Sequence, residues 1–126
     1  MKKLIKFSWV ILMVVGFTMV TSCEKEAVLP TVTTADITSV TSNSAIGGGD
    51  VTSDGGAEIS ARGICYDKGN SMPTTNNSMT SDGTSIGSYT STMSGLLPNT
   101  TYYVRAYATN KVGTSYGAVK EFKTEM

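Results

Sequence analysis

The side chains able to do chemistry in this chain are few and far apart. Its ten acids are Glu24, Glu26, Asp36, Asp50, Asp54, Glu58, Asp67, Asp82, Glu121 and Glu125. They fall mostly in turn-like segments or at the ends of apolar runs. A glycosidase needs two carboxylates facing each other across a cleft, and this spacing supplies no such pair. The chain has no histidine, which excludes Ser-His triads and His-ligated metals. Asp50 and Asp54-Gly55 place two acids near a glycine. They lack the alternating acids of an EF-hand loop, so a turn-forming aspartate is expected there and no metal. No glycine-rich stretch precedes a helical pattern, so a phosphate loop is also absent. No enzyme activity and no cofactor are expected. One surface feature stands out. Tyr103, Arg105 and Tyr107 alternate within one apolar run, so period two points all three the same way. Two flat aromatic side chains flanking a guanidinium make a candidate binding face. The competing reading is cross-strand packing with neighbours such as Arg62.

The elements that must position this row are strands. Among 126 residues, 34 are Ser or Thr and 13 are Gly, while charged residues are only 16%. That composition favours strands and turns over helices. No helical period extends over 11 residues from Glu24 onward. Short runs separated by turn residues predict a sandwich or barrel. Thr31–Thr34 and Ile37–Val40 read as a broken first strand, and Ser44–Val51 as a second. Gly47-Gly48-Gly49 inside the second strand suggests a bulge or the close approach of another backbone. Ser53 to Gly56 is a hairpin turn. Glu58–Tyr66 is the third strand. Its apolar phase shifts, predicting a bulge near Gly63 and leaving open whether Cys65 or Tyr66 faces the core. Asp67–Gly83 reads as loop with at most a short edge strand. Ser85–Ser94, Thr101–Asn110 and Thr114–Thr124 are the remaining strands.

The N-terminus reads as an address. Lys2, Lys3 and Lys6 lead into an apolar stretch, Phe7–Val20, of about 14 residues. This suits a signal-peptide core and falls short of the ~20 residues that span a bilayer. Val20-Thr21-Ser22-Cys23 then resembles a bacterial lipobox, with an aliphatic residue, two small residues and a cysteine. The resemblance implies cleavage before Cys23, a diacylglycerol on its thiol, and a chain anchored to a membrane by covalent lipid. Residues 1–22 would be the signal peptide, and 23–29 the lipidated Cys and a short tether. Glu24-Lys25-Glu26 looks like the acidic surface-export signals of Bacteroidetes lipoproteins. Its brevity leaves the surface and periplasmic sides of the outer membrane both open. Removal of residues 1–22 leaves seven basic and ten acidic side chains, an acidic balance that argues against nucleic acid as a partner. It also leaves Cys65 without an intramolecular partner. Set in an apolar run with no basic cluster beside it, Cys65 is expected to be buried and inert.

The stretch from Leu96 to Asn110 resembles the fibronectin type III signature. Leu96, Pro98, Thr100, Tyr102, Val104, Ala106, Ala108, Asn110 and Gly113 stand at that family's offsets. Met93 to Leu96 upstream, and Tyr116-Gly117 and Phe122 to Thr124 downstream, match its flanking strands. The resemblance covers residues 30–124. It implies an all-β, immunoglobulin-like antiparallel sandwich of about seven strands. It also implies a buried tyrosine corner at Tyr102, whose hydroxyl bonds to backbone upstream. Tyr102, Val104, Ala106 and Ala108 would point inward, and Tyr103, Arg105 and Tyr107 outward. One departure is the absence of tryptophan after the signal segment. Eukaryotic members place one on the second strand, where this chain has Gly47–Gly49, so a thinner core is expected there.

These readings converge on a non-catalytic, lipid-anchored protein of the cell envelope whose one domain contacts a protein or glycan partner. A passive spacer without a ligand is the alternative, disfavoured because a single domain tethered this close to lipid makes a poor stalk. A small envelope enzyme comes third.

Overall fold

The structure, a computed structural model, describes residues 26–126. The signal segment and Cys23 lie outside the described residues. Eight strands follow one another: β1 (Thr31–Thr34), β2 (Ala45–Ser53), β3 (Ala61–Asp67), β4 (Ser78–Met79), β5 (Gly87–Met93), β6 (Thr101–Thr109), β7 (Thr114–Tyr116) and β8 (Lys120–Lys123). They form two antiparallel sheets. One has the order β1-β2-β5, and the other β4-β3-β6-β7 with β8 also paired to β6. The described residues contain no helix, and the fold is the expected all-β sandwich.

Four local expectations are corrected. The Ser53–Gly56 turn closes no hairpin: it carries the chain from β2 in one sheet to β3 in the other, and these two strands do not pair. The run Ile37–Val40 is not a strand. It makes a single bridge, Thr38 to Ile46, while Ile37 and Val40 pack against the core. The last strand is two. β8 pairs the first half of β6 and β7 the second. At the break, Gly117 N–H donates to the Ala106 carbonyl at 2.9 Å, and Ala106 N–H donates to Thr34 Oγ1 at 3.0 Å. The end of β1 thus meets the interrupted strand and helps tie the two sheets together. Finally, β3 carries no bulge at Gly63. It pairs β6 in unbroken register from Ala61–Thr109 to Asp67–Tyr103. The apolar phase shifts for another reason. Ile59 is buried but precedes the strand, while Ile64 and Tyr66 sit opposite Ala106 and Val104, on the inner face. Cys65, opposite Arg105, takes the outer face and is nonetheless fully buried.

The core divides into two clusters. One joins Ala45, Ile64, Met93, Leu96, Tyr102, Val104 and Phe122. The other joins Val32, Val51, Ile59, Tyr89, Ala106 and Ala108. The inward residues of β6 contribute to both. The glycines of β2 explain the second cluster. A methyl group on Gly49 would stand 2.7 Å from both Ala106 Cβ and the Tyr89 hydroxyl, and 2.8 Å from the Thr33 carbonyl oxygen. The missing bulk on β2 is supplied from β5 instead. The Tyr89 ring crosses the sandwich, and its hydroxyl donates to the Gly63 carbonyl on β3 at 2.7 Å.

Gly49→Ala is therefore expected to lower stability by about 1–3 kcal/mol through overpacking. Gly69, exposed and with only Asp67 Oδ2 at 3.7 Å from such a methyl group, serves as the control. Urea midpoints for the two alanine variants should differ clearly, with Gly69→Ala close to the parent.

Candidate binding surface

The outer face of β3 and β6 is where the sequence places Tyr103, Arg105 and Tyr107. In the structure it is largely roofed. The chain leaving β3 folds back over its own sheet and pairs there as β4, Cys65 with Met79 and Tyr66 with Ser78. Arg105 Nε donates to the Pro73 carbonyl at 2.6 Å, and Pro73 is fully buried. The Arg105 guanidinium lies over the Tyr116 ring, 4.1 Å from its centroid. Tyr116 in turn accepts the Thr75 N–H at 3.2 Å. Tyr107 is only 1% exposed, and its hydroxyl donates to the Thr80 carbonyl. Only half-buried Tyr103 retains an open flank.

The expected exposed row is thus corrected. Tyr107 and Arg105 form the floor beneath the Lys68–Gly83 segment, and no contiguous tyrosine–arginine–tyrosine surface exists. Strand parity gives the direction of these side chains correctly but says nothing about what lies over them. The cross-strand partners also differ from expectation. Gly63, Cys65 and Asp67 oppose the row. Arg62 faces the other way, with its guanidinium carbon 4.8 Å from the Tyr89 ring centroid.

A polar cluster fastens the same segment at its far end. Arg62 donates from Nε to the Asp82 carbonyl at 2.8 Å and from Nη1 to the Ser85 carbonyl at 2.7 Å. The Asp82 carboxylate accepts from Thr80 Oγ1 at 2.7 Å and from Ser91 Oγ. Ser91 is buried on β5. A serine hydroxyl beside a carboxylate, in a chain without histidine, lacks the base–orienter arrangement of a nucleophilic site. The cluster acts as a staple between the crossover segment and β5. Among the described residues no group of three or more Cys, Asp or Glu side chains could hold a metal. Burial pushes the Cys65 thiol up to about 11, so its reactive thiolate is scarce at neutral pH.

Among the described residues, two open concavities lie elsewhere; one, of about 260 Å³, is lined by Glu26, Val28, Ser53, Gly55 and Gly56, and the other forms where three chain segments converge. Tyr66, Asp67 and Lys68 leave β3, Ser94 to Leu97 leave β5, and Tyr102 enters β6. Together they line a groove of about 240 Å³. Gly95 turns with a φ of 69°, which sends Leu96 into the core and leaves Leu97 half exposed. Tyr102 builds the groove floor. It is buried, it stacks on Phe122 with centroids 5.7 Å apart, and its hydroxyl accepts the Leu97 N–H at 2.9 Å. Burial, and then the neighbouring Tyr102, push the Tyr66 hydroxyl above its ordinary pKa. The groove combines a tyrosine, an exposed leucine and opposite charges, a mixture suited to a polar ligand with one apolar face. Sequence reasoning misses it because no single run of the chain contains it.

No family model matches the chain, and no curated protein matches it. Solved structures do. A human fibronectin type III domain is 18% identical with a TM-score of 0.56, covering 87% of this chain and 88% of that one. The sensor domain of an anti-sigma factor from Pseudobacteroides cellulosolvens is 17% identical with a TM-score of 0.55, covering 79% and 98%. A multidomain segment of titin is 22% identical with a TM-score of 0.52, covering 77% of this chain, which spans 32% of the titin segment's length. These likenesses are to the fold, that of a fibronectin type III-like sandwich.

Two measurements check the register and the roof. Tyr102→Phe should cost on the order of 1–2 kcal/mol, because the Leu97 N–H loses its acceptor. Tyr103→Phe should cost almost nothing, so equal urea midpoints would overturn the register. The alkaline limb of stability tests the buried hydroxyl and thiol. Burial raises Cys65 to about 11 and Tyr107 to about 12. Their protonated forms are therefore favoured in the folded state. The stability they contribute is complete below the unfolded values of about 9 and 10 and is lost as pH rises through 11 and 12. Denaturation midpoints from pH 8 to 12 should fall along that window. Tyr107→Phe should flatten its upper part.

Proposed function

We propose that this fibronectin type III-like domain is the contact module of a non-catalytic bacterial lipoprotein of Bacteroidetes type. Covalent lipid on Cys23 anchors it to the outer membrane, and it meets an envelope protein or a glycan. The observation that carries the reading is the separation of the two ends of the sandwich. The chain enters at the end formed by the Ser53–Gly56 and Asn110–Gly113 turns. There Val28 N–H donates to the Gly55 carbonyl at 2.8 Å. Asn110 Nδ2 donates to the carbonyls of Val28 and Asp54, both at 2.8 Å.

Val28 is five residue steps from Cys23, a reach of at most about 17 Å. An anchored domain would therefore present its Asn110 end to the membrane. The groove lined by Tyr66, Asp67 and Leu97 lies at the opposite end. The nine residues of β6 put roughly 30 Å between the two ends. A partner approaching from outside the membrane would meet the groove first. That favours contact over a passive spacer, since the outward end pairs an exposed leucine with charges of both signs, Asp67 and Lys68. Anchorage serves equally well on the surface and periplasmic sides, and the proposal leaves the side open.

Metabolic labelling with palmitate tests the anchor. The parent should label and fractionate with outer membranes. Cys23→Ala should neither label nor be processed. Label on the alanine variant, or none on the parent, would overturn the proposal.

A further inference from the structure

We infer that the Asn110 end of the domain is a lipid-contacting foot, with Val28, Leu29 and Val112 seated against the bilayer surface. The inference rests on the lipidation proposed above. These three side chains are 59%, 46% and 48% exposed. They are not scattered. Leu29 Cδ2 lies 3.1 Å from where a side chain would begin at Gly113, the residue after Val112. The Asn110 amide holds the group together. It donates to the Val28 carbonyl and accepts from the N–H groups of Val112 and Gly113 at 2.8 and 3.3 Å. Asn110 itself is 3% exposed with both ends of its amide bonded. The patch is therefore held in shape by a buried clip, and its apolar side chains are open to solvent among the described residues.

The anchor selects the occupant. Lipid chains at Cys23 would hold Val28 within about 17 Å of the membrane surface, with Leu29 next in the chain and close to Gly113; exposed Ile86, just before β5, lies toward the same end. Leu97 sits at the far end, and Met72 and Met79 lie on the roof of the sheet. Exposed Lys111 adjoins Val112 and can reach headgroup phosphates. Glu26 and Glu58, also exposed near this end, would resist a strongly anionic surface, so zwitterionic phosphatidylcholine is the suitable probe. Contact of this kind adds a defined stance to the covalent tether. It would hold the groove upright, away from the membrane.

Trp9 is the one tryptophan of the chain and precedes Cys23, so the processed protein carries none. Val112→Trp and Leu97→Trp then give single reporters at the two ends. Each full chain is expressed, processed and reconstituted into phosphatidylcholine vesicles containing acyl-brominated lipid. We expect at least twofold quenching and a blue shift for Val112→Trp, and neither for Leu97→Trp. Adding Leu29→Asp to the Val112→Trp protein should at least halve the quenching, while near-ultraviolet circular dichroism reports that the fold is kept. Mass spectrometry of the N-terminal peptide establishes the lipid independently. Absence of the lipid overturns the anchor itself. With lipid attached, an unquenched Val112→Trp protein, or equal quenching at both ends, overturns the foot alone. A blue shift that appears without vesicles and grows with protein concentration assigns the patch to a second copy and likewise overturns it.

Discussion

The hydrogen bond from the Tyr89 hydroxyl to the Gly63 carbonyl, 2.7 Å across the sandwich, sets the terms on which the two sheets meet. It needs a ring on β5, an open lane on β2, and a carbonyl free on β3. Gly49 supplies the lane, since any side chain there would strike both the ring's hydroxyl and Ala106. The small residues Ala106 and Ala108 on β6 complete the arrangement, because larger ones would compete with Tyr89 for the same space. Burial pushes the Tyr89 hydroxyl well above its ordinary pKa, so the donor stays protonated throughout the physiological range. One aromatic side chain, entering from a different strand than the familiar tryptophan, thus supplies bulk, a polar tether and the spacing of the layers.

The same constraint reaches the outer face. Gly63 is also bare toward the roof. A methyl group there would stand 2.2 Å from the Thr80 carbonyl oxygen, the group that accepts the Tyr107 hydroxyl. Gly63 therefore lets Tyr89 approach on one side and the returning chain on the other. Thr80 closes the ladder from there. Its N–H donates to the Ile64 carbonyl, and its hydroxyl accepts the Ile64 N–H, each at 2.9 Å. A sheet that would otherwise offer Cys65, Arg105 and Tyr107 to solvent becomes a second, thinner core. A polar segment can cover it because backbone carbonyls at Pro73 and Thr80 satisfy the arginine and the tyrosine.

What could be read from the chain follows from which interactions are local. The offsets from Leu96 to Gly113 encode a turn, a buried tyrosine and a two-residue alternation, all within one segment, and they yield both the fold and the inward face of β6. Gly47–Gly49 announces a close approach but not the identity of the group that approaches, since Tyr89 lies forty residues further on. The Lys68–Gly83 roof is illegible for a related reason. Most of its bonds to the sheet engage its own backbone, met by side chains on β3, β6 and β7 and by the backbone of β3, and a backbone group leaves no mark in a sequence. Tyr103, Arg105 and Tyr107 look like a binding face because aromatic and guanidinium groups are the usual anchors of such faces. They are equally the groups best able to hold down a polar loop. The groove at Tyr66 and Leu97 is hidden because it is a junction of three segments.

Asn110 draws the structure and the proposed role together. A buried amide has four hydrogen-bonding positions, and leaving any unmet costs stability. Here they reach the entering chain at Val28, the inter-sheet turn at Asp54 and the last turn at Val112 and Gly113. The end where the chain enters is consequently tightly cross-connected. A leash fixed there transmits orientation, whereas a leash fixed to a loose loop would transmit only proximity. For the anchored contact module proposed above, orientation is what the domain would offer a partner. With one end held by Asn110 and the other shaped by Tyr102, the strands between act as a rigid rod whose length is set by β6. The two ends can therefore change their surface residues independently, provided that the glycine lane and its tyrosine are kept.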